Sequence, residues 1–247
     1  VDRNRVGALS TIATVTGMYD TLPPAATYLD LKRDLDEAGI DSEPRQLYIS
    51  GTGGVQMLTV DLKDMMAANM KDDIKMSIQL ITSVYGSKKH HCRLVAYNET
   101  TGAELVGIKS DNFTISARHT KTIRERHAAF SVAINALVSE WNDTIMPFMT
   151  LLQDSEFDKK IALDLLEKIM KKANIPSRHI EKCKEFYEND AIVTQGSTHS
   201  VYRVTDGLSQ YIEKNLGDKP ERAEKFREDI LKRSHSLIKK AIEDFAK

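Results

Sequence analysis

The stretch "DIKMSIQLITS", residues 73–83, decides how the first half of this chain folds. Every second position from Ile74 to Leu80 is apolar, and the positions between them are polar. A period of two is typical of a β-strand, because successive side chains point to opposite faces of a sheet. We therefore predict a strand here, with one face in the core and the other face in water.

The neighbouring segments predict further strands of an antiparallel sheet. "RQLYIS" and "VQMLTVDLK" flank the glycine-rich "GTGG" at residues 51–54, which predicts a hairpin. "CRLVAY", "AELVGI" and "NFTISAR" follow and are separated by turn-rich segments. Residues 45–118 thus predict a sheet of about five or six strands. The "GTGG" loop lacks a Walker-type lysine, so a plain turn is favoured over a phosphate-binding loop.

Helices are predicted before and after the sheet region in the sequence. "PPAATYLDLKRDLDEAG", residues 23–39, has Leu29, Leu31 and Leu35 near helical spacing and ends at Gly39. From Thr120 the period lengthens to about 3.6 residues, which predicts a long helix that runs past Pro147 or kinks there. The apolar face of that helix would hold Ile123, His127, Phe130, Ile134, Leu137 and Trp141.

The remaining sequence is helical in pattern. Ser155 with Asp158 resembles a capping arrangement, and Pro176 stands at the start of another helix. Two more helices are predicted after residue 200. The order predicts an α+β fold: an antiparallel sheet in the N-terminal half with one early helix, followed by a run of helices. We expect residues 1–120 to be sheet-rich and residues 121–247 to be helical, with both regions packed as one unit.

Composition predicts a soluble cytoplasmic protein without a membrane partner. With 247 residues and 41% hydrophobic residues, the chain can bury a core without disulfides. Cys92 and Cys183 stand far apart and outside any metal-binding spacing, which indicates a reducing compartment. No apolar run approaches the roughly 18–20 residues that span a bilayer, and residues 1–20 lack a secretory pattern.

Charge is distributed unevenly along the chain. The formal net charge of −1 excludes a protein that binds nucleic acid through bulk positive charge. Residues 2–43 carry eight acids and four bases, whereas residues 82–127 carry eight bases and four acids. The second window also holds four of the seven histidines. Any binding of a polyanion is therefore expected to depend on this local patch.

The candidate nucleic-acid-binding residues come from two segments of that patch. The segment "ARHTKTIRERH", residues 117–127, lies where the last predicted strand enters the long helix. Amide groups at a helix start favour anions, and guanidinium groups strengthen that field. The candidates are Lys88, Lys89, Arg93, Arg118, His119, Lys121, Arg124 and Arg126. The alternative is an ordinary solvated helix surface.

Other chemistries have weaker support in the sequence. His90 and Cys92 would share one strand face and could bind zinc with His119, or else the histidines are exposed hairpin side chains. Cys92 or Ser83 could act as a nucleophile with His119 as base, but no motif fixes them. His127 is expected in the core. The aromatic residues Trp141, Phe148 and Phe157 are also expected there, so no platform for stacking bases is indicated.

Several short motifs are spread over roughly residues 45–215. They are a turn with Ser83, Gly86 and Ser87, a strand with Arg93 and Asn98, a junction with Arg118, His119 and Thr120, and a later segment with Tyr202 and Thr205. In this order they resemble the phage/plasmid-like protein family of unknown function. Ala96, Glu99 and Thr82 depart from the pattern. The resemblance implies a phage or mobile-element origin, the host cytoplasm and a link to phage DNA metabolism. It implies no catalytic mechanism.

The leading hypothesis is a non-enzymatic phage protein that binds nucleic acid, specifically single-stranded DNA during recombination or annealing, and that uses no cofactor. The second hypothesis is a structural or host-interaction protein that acts as a homo-oligomer or through a partner, with the C-terminal helices as the contact surface. The third is a metal-dependent nuclease or hydrolase that uses His90, Cys92 and His119.

Overall fold

The structure is a computed structural model, and it confirms the α+β class: along the chain, one helix is followed by an antiparallel sheet and then by several helices. It describes residues 24–50, 54–66, 74–83, 90–106, 114–117, 125, 141–189 and 199–245.

The described elements follow the predicted order. The helices are α1 (Pro24–Glu37), α2 (Met146–Asp154), α3 (Lys159–Lys172), α4 (Ser177–Asn189), α5 (Val201–Leu216) and α6 (Pro220–Phe245), with a π-helical turn at Trp141–Ile145 before α2. The strands are β1 (Ser42–Ile49), β2 (Val55–Met66), β3 (Ile74–Ser83), β4 (His90–Asn98), β5 (Thr114–Ala117), β6 (Glu156–Phe157) and β7 (His199–Ser200). Among the described helices, none has both the length and the apolar character needed to cross a bilayer.

The chain divides into two compact units. The first takes its residues from Val1–Met66, Lys75–Val95 and Ser110–Trp141, and the second from Ala67–Ile74, Ala96–Lys109 and Asn142–Lys247. The first unit therefore holds α1 and most of the large sheet. The second unit holds α2 to α6 with the small β6–β7 pair.

The large sheet is a meander in which the strands lie in the order β1-β2-β3-β4-β5. β1 and β2 form the predicted antiparallel hairpin, and β2 pairs antiparallel with β3. The register sets Leu47 opposite Leu58 and Leu58 opposite Leu80. These three leucines therefore form one apolar row across three strands on a single face of the sheet.

Helix α1 lies over that apolar face. Its Thr27 lines a narrow cavity with leucines of the row, and Leu31 and Leu35 are buried. Gly39 ends the helix as predicted: its φ is 73°, and the N–H of Ile40 donates to the carbonyl of Leu35 at 2.9 Å. Leu29 lies in this helix as well, but its side chain is 65% exposed. It lies two residues from Leu31, which places it on the opposite side of the helix.

The opposite face of the sheet is buried as well, which corrects the predicted wet face of β3. Ser77 is 0% exposed and Gln79 is 3% exposed. These polar side chains bond to others on the same face: the Ser77 hydroxyl donates to Asp61 Oδ1 at 2.6 Å, and Gln79 Oε1 accepts from Arg93. Hydrogen bonds to other side chains of the sheet satisfy these polar groups, so they do not need contact with water.

In the second unit, α5 is buried along most of its length. Helix α3 begins after the predicted capping residues and α4 begins directly after Pro176, while α5 and α6 match the two predicted C-terminal helices. Asp158, rather than Ser155, caps α3 by accepting from the N–H of Ile161. Ser155 instead donates to the carbonyl of Leu152.

The predicted strand "AELVGI" is not formed in its described part. Residues 103–106 make one isolated bridge, between Glu104 and Tyr97. The N–H of Val106 donates to the hydroxyl of Ser209 on α5 at 2.9 Å. The N–H of Leu105 donates to the carbonyl of Ala96 at 2.8 Å, so the N–H of the next residue, Val106, points away from β4.

Candidate nucleic-acid interface

The two basic segments predicted from the sequence are joined to residues that pair in the sheet. β4 and β5 are antiparallel, and His90, the first residue of β4, pairs with Ala117, the last residue of β5. Lys89 directly precedes His90, and Arg118 directly follows Ala117. Segments that are about thirty residues apart in the sequence thus border the same end of the sheet.

Covalent geometry limits how far these two bases can separate. Consecutive Cα atoms are about 3.8 Å apart, and paired Cα atoms of antiparallel strands are at most about 5.5 Å apart. The described neighbours of the two bases, His90 and Ala117, are such a pair, so their Cα atoms are at most about 5.5 Å apart.

We call this set of bases the basic junction: Lys88, Lys89, Arg118, His119, Lys121, Arg124 and Arg126. All seven lie outside the described residues, as do Gly86, Ser87, Thr120 and His127. Glu125 is described; it is helical and exposed, in agreement with the predicted helix at its position. It is the acid that stands between Arg124 and Arg126.

Arg93, the eighth candidate, lies inside the sheet. It is only 8% exposed, and its guanidinium donates from Nε at 3.1 Å and from Nη2 at 2.9 Å to Gln79 Oε1. This forked contact ties β4 to β3. The geometry gives Arg93 a structural role in the sheet, so we do not count it in the basic junction.

An ion-pair network lies on the same sheet face and was missed from the sequence. Asp61 Oδ2 lies 3.1 Å from Arg45 and 3.2 Å from Lys75, while Asp61 Oδ1 accepts from Ser77. The Asp61 side chain is 6% exposed. Alternating polar residues in β2 and β3 were the available signal, but alternation alone does not distinguish a solvated face from a covered one. The contacts cross three strands and fix their register.

The histidines and the cysteine of β4 do not form an open reactive site. His90 is 0% exposed, so the expectation of an exposed histidine fails there. Cys92 is also buried, and its burial raises the pKa of the thiol well above the ordinary value, so the thiol stays protonated. Ser83 is 1% exposed. Within the described ranges, no group of three or more histidine, cysteine or acidic residues is arranged to hold a metal ion.

A second charged region lies between α3 and α4 in the second unit. Its groove is lined by Lys159, Lys160, Asp164, Glu167 and Lys184, together with Leu163. Glu167 pairs with Lys171 and Lys184, and these two hydrogen bonds lower the pKa of Glu167 to about 2. Acids neutralise most of the lysines in this groove. The groove therefore has less positive charge for an anion than the basic junction has.

Two motif residues of the family resemblance meet in the second unit. Asn98 Nδ2 donates to the hydroxyl of Tyr202 at 3.2 Å, and both side chains are buried. Thr205, also in the later motif, donates to the carbonyl of Tyr202. The contact joins residues 104 positions apart and is structural, because it offers no exposed polar atom to a ligand.

Comparison with known protein families, with curated proteins and with solved structures gives no match to this chain. The relationship to the phage/plasmid-like family thus stays a prediction that rests on the motifs alone.

Proposed function

We propose that this protein binds nucleic acid through the basic junction and catalyses no reaction. The observation that carries the proposal is the pairing of His90 with Ala117, which joins two separate basic segments to one end of the sheet. Six lysine and arginine residues and one histidine stand in these segments. Such a density of cations in a chain of net charge −1 favours a polyanionic partner.

The preferred ligand in this proposal is single-stranded DNA, used in recombination or annealing. That choice depends on the resemblance to the phage/plasmid-like family, which implies phage DNA metabolism. The charge argument itself applies to any nucleic acid, because phosphate contacts carry no sequence information. Duplex DNA and RNA therefore serve as competitors in the test.

The test measures binding of labelled oligonucleotides by fluorescence anisotropy at several salt concentrations. The double variant Arg118→Gln/Arg124→Gln should bind single-stranded DNA more weakly than the wild type. Its plot of log K against log salt should be shallower by about 1.4, because each phosphate contact to a single strand contributes about 0.7. An unchanged affinity and slope would refute the assignment.

Two control variants separate a local contact from a general charge effect. Arg178→Gln/Lys182→Gln removes two exposed positive charges from α4 and should leave the affinity nearly unchanged. Glu125→Gln removes the exposed acid between Arg124 and Arg126 and should strengthen binding. Equal weakening by both double variants would mean that net charge, rather than the basic junction, controls binding.

A further inference from the structure

The end of strand β1 combines an outer position with exposed apolar side chains. Among the described strands, β1 is one of the two outer strands of the large sheet, and β5 is the other. Leu47 is 56% exposed and Ile49 is 38% exposed. Natural proteins protect outer strands with charges, prolines and bulges. β1 has Pro44 and a register shift between Pro44 and Gln46, but the segment from Gln46 to Ser50 has no charge and no proline.

The backbone of this segment has groups directed away from the sheet. The N–H of Ser50 donates to the carbonyl of Val55 at 2.9 Å, so Ser50 faces β2. Backbone groups alternate in direction along a strand, and therefore Tyr48 also faces β2. The N–H and C=O groups of Leu47 and Ile49 therefore point away from β2, to the side where no other described strand lies. Two residues with two outward groups each form a template for another strand.

We infer that a second copy of this chain pairs with this segment, β1 to β1, in an antiparallel arrangement about a two-fold axis. The two-fold axis passes midway between the two Tyr48 residues. Leu47 of each copy therefore lies opposite Ile49 of the other copy. Each pair exchanges two backbone hydrogen bonds, which gives four in all. The contact uses the same surface on both copies, as two-fold symmetry requires.

Other registers fit less well. With Leu47 opposite itself, Ile49 meets the charged Arg45 at the register shift. With Ile49 opposite itself, Leu47 meets Gly51, which has no side chain to pack. A slip by one residue pairs outward backbone groups with inward ones and exchanges the faces. The Tyr48-centred register pairs both apolar side chains, and no charged residue opposes another within the paired segment, so like-charge repulsion is absent.

The arrangement goes beyond the proposed function and does not depend on it. A short strand pairing buries little area, so we expect a weak dimer that forms as the concentration rises. In the Tyr48-centred register, the two Tyr48 residues are a directly opposed, non-hydrogen-bonded pair with Cα atoms about 4.5 Å apart. That spacing falls within the range that a disulfide bridges.

The experiment is disulfide trapping with the full chain. Tyr48→Cys should form a covalent dimer on mild oxidation. Leu47→Cys should form far less, because the Cα atoms of Leu47 and of its own copy are diagonal neighbours about 8 Å apart, beyond the range that a disulfide bridges. Cys92 and Cys183 are buried and should not react. Circular dichroism confirms that each variant is folded. A folded Tyr48→Cys variant that does not crosslink, or equal trapping by Leu47→Cys, would overturn the inference.

A second measurement does not depend on the cysteine variants. Sedimentation of the wild type at rising concentration should show a dimer, and Ile49→Lys should weaken its association about tenfold or more, because the change acts twice across the axis. A wild type that stays monomeric throughout would refute the inference. Binding of a foreign peptide or of the chain's own N-terminal residues at β1 would appear as a monomer as well, and would count against it.

Discussion

Replacing Arg93 with methionine tests whether this arginine stabilises the sheet or binds the ligand. The side chain is 8% exposed and gives two hydrogen bonds to Gln79 Oε1. Methionine keeps much of the apolar volume but donates nothing, and Gln79, itself 3% exposed, loses its guanidinium donor. Charged hydrogen bonds contribute about 1.5–3 kcal/mol, so we expect the free energy of unfolding to fall by about 2–4 kcal/mol. For a chain of this size that lowers Tm by roughly 5–15 °C.

The assay is chemical denaturation monitored by circular dichroism, combined with DNA binding of the folded variant. The double variant Gln79→Leu/Arg93→Met removes both partners and should cost less than the sum of the two single changes, with a coupling energy of about 1–2 kcal/mol. Arg178→Met, an exposed control on α4, should change stability by less than about 0.5 kcal/mol. If Arg93→Met left stability unchanged and weakened DNA binding, the structural assignment of Arg93 would be wrong.

Further predictions concern the second unit. Asn174 has a φ of 58°, which lies in the left-handed region. In the same denaturation assay, Asn174→Ala should destabilise the protein by about 1 kcal/mol. Asn174→Gly should stay within about 0.5 kcal/mol of the wild type. Two lysines lower the pKa of Glu167 to about 2, so the pairing stabilises the fold above the usual carboxyl pKa and is lost as the pH falls from about 4.5 towards 2. NMR titration should show the Glu167 midpoint near 2 in the wild type and higher in Lys184→Met; an unchanged midpoint would exclude Lys184 as a cause.

Local sequence signals predicted the elements whose formation depends on residues of one segment alone. The alternation in β3, the glycine at the end of α1 and the apolar periods of α3 to α6 each reflect burial or backbone geometry within a single segment. The π-helical turn before Pro147 has a local cause too, because proline lacks an N–H and its ring crowds the preceding turn.

The features that the sequence did not predict depend on distant residues. In the sequence, Ser77 and Gln79 resemble solvated residues. Their partners Asp61 and Arg93 stand on neighbouring strands and become evident only in the fold. Val106 donates its N–H to Ser209, 103 positions away, and no local pattern indicates that contact. In the candidate interface, the charge reversal was visible in the sequence, but the strand pairing next to its two segments was not. The pairing of His90 with Ala117 supplies that information.

The most direct test of the central claim is to map where single-stranded DNA touches the protein. Photo-crosslinking of a thymidine oligonucleotide, followed by mass spectrometry of the digested protein, identifies the contacting peptides. We expect crosslinks within residues 84–91 and 118–127, and we expect added salt to reduce them. Crosslinks confined to α3 to α6, or none at a concentration where binding is measurable, would contradict the assignment of nucleic-acid binding to the basic junction.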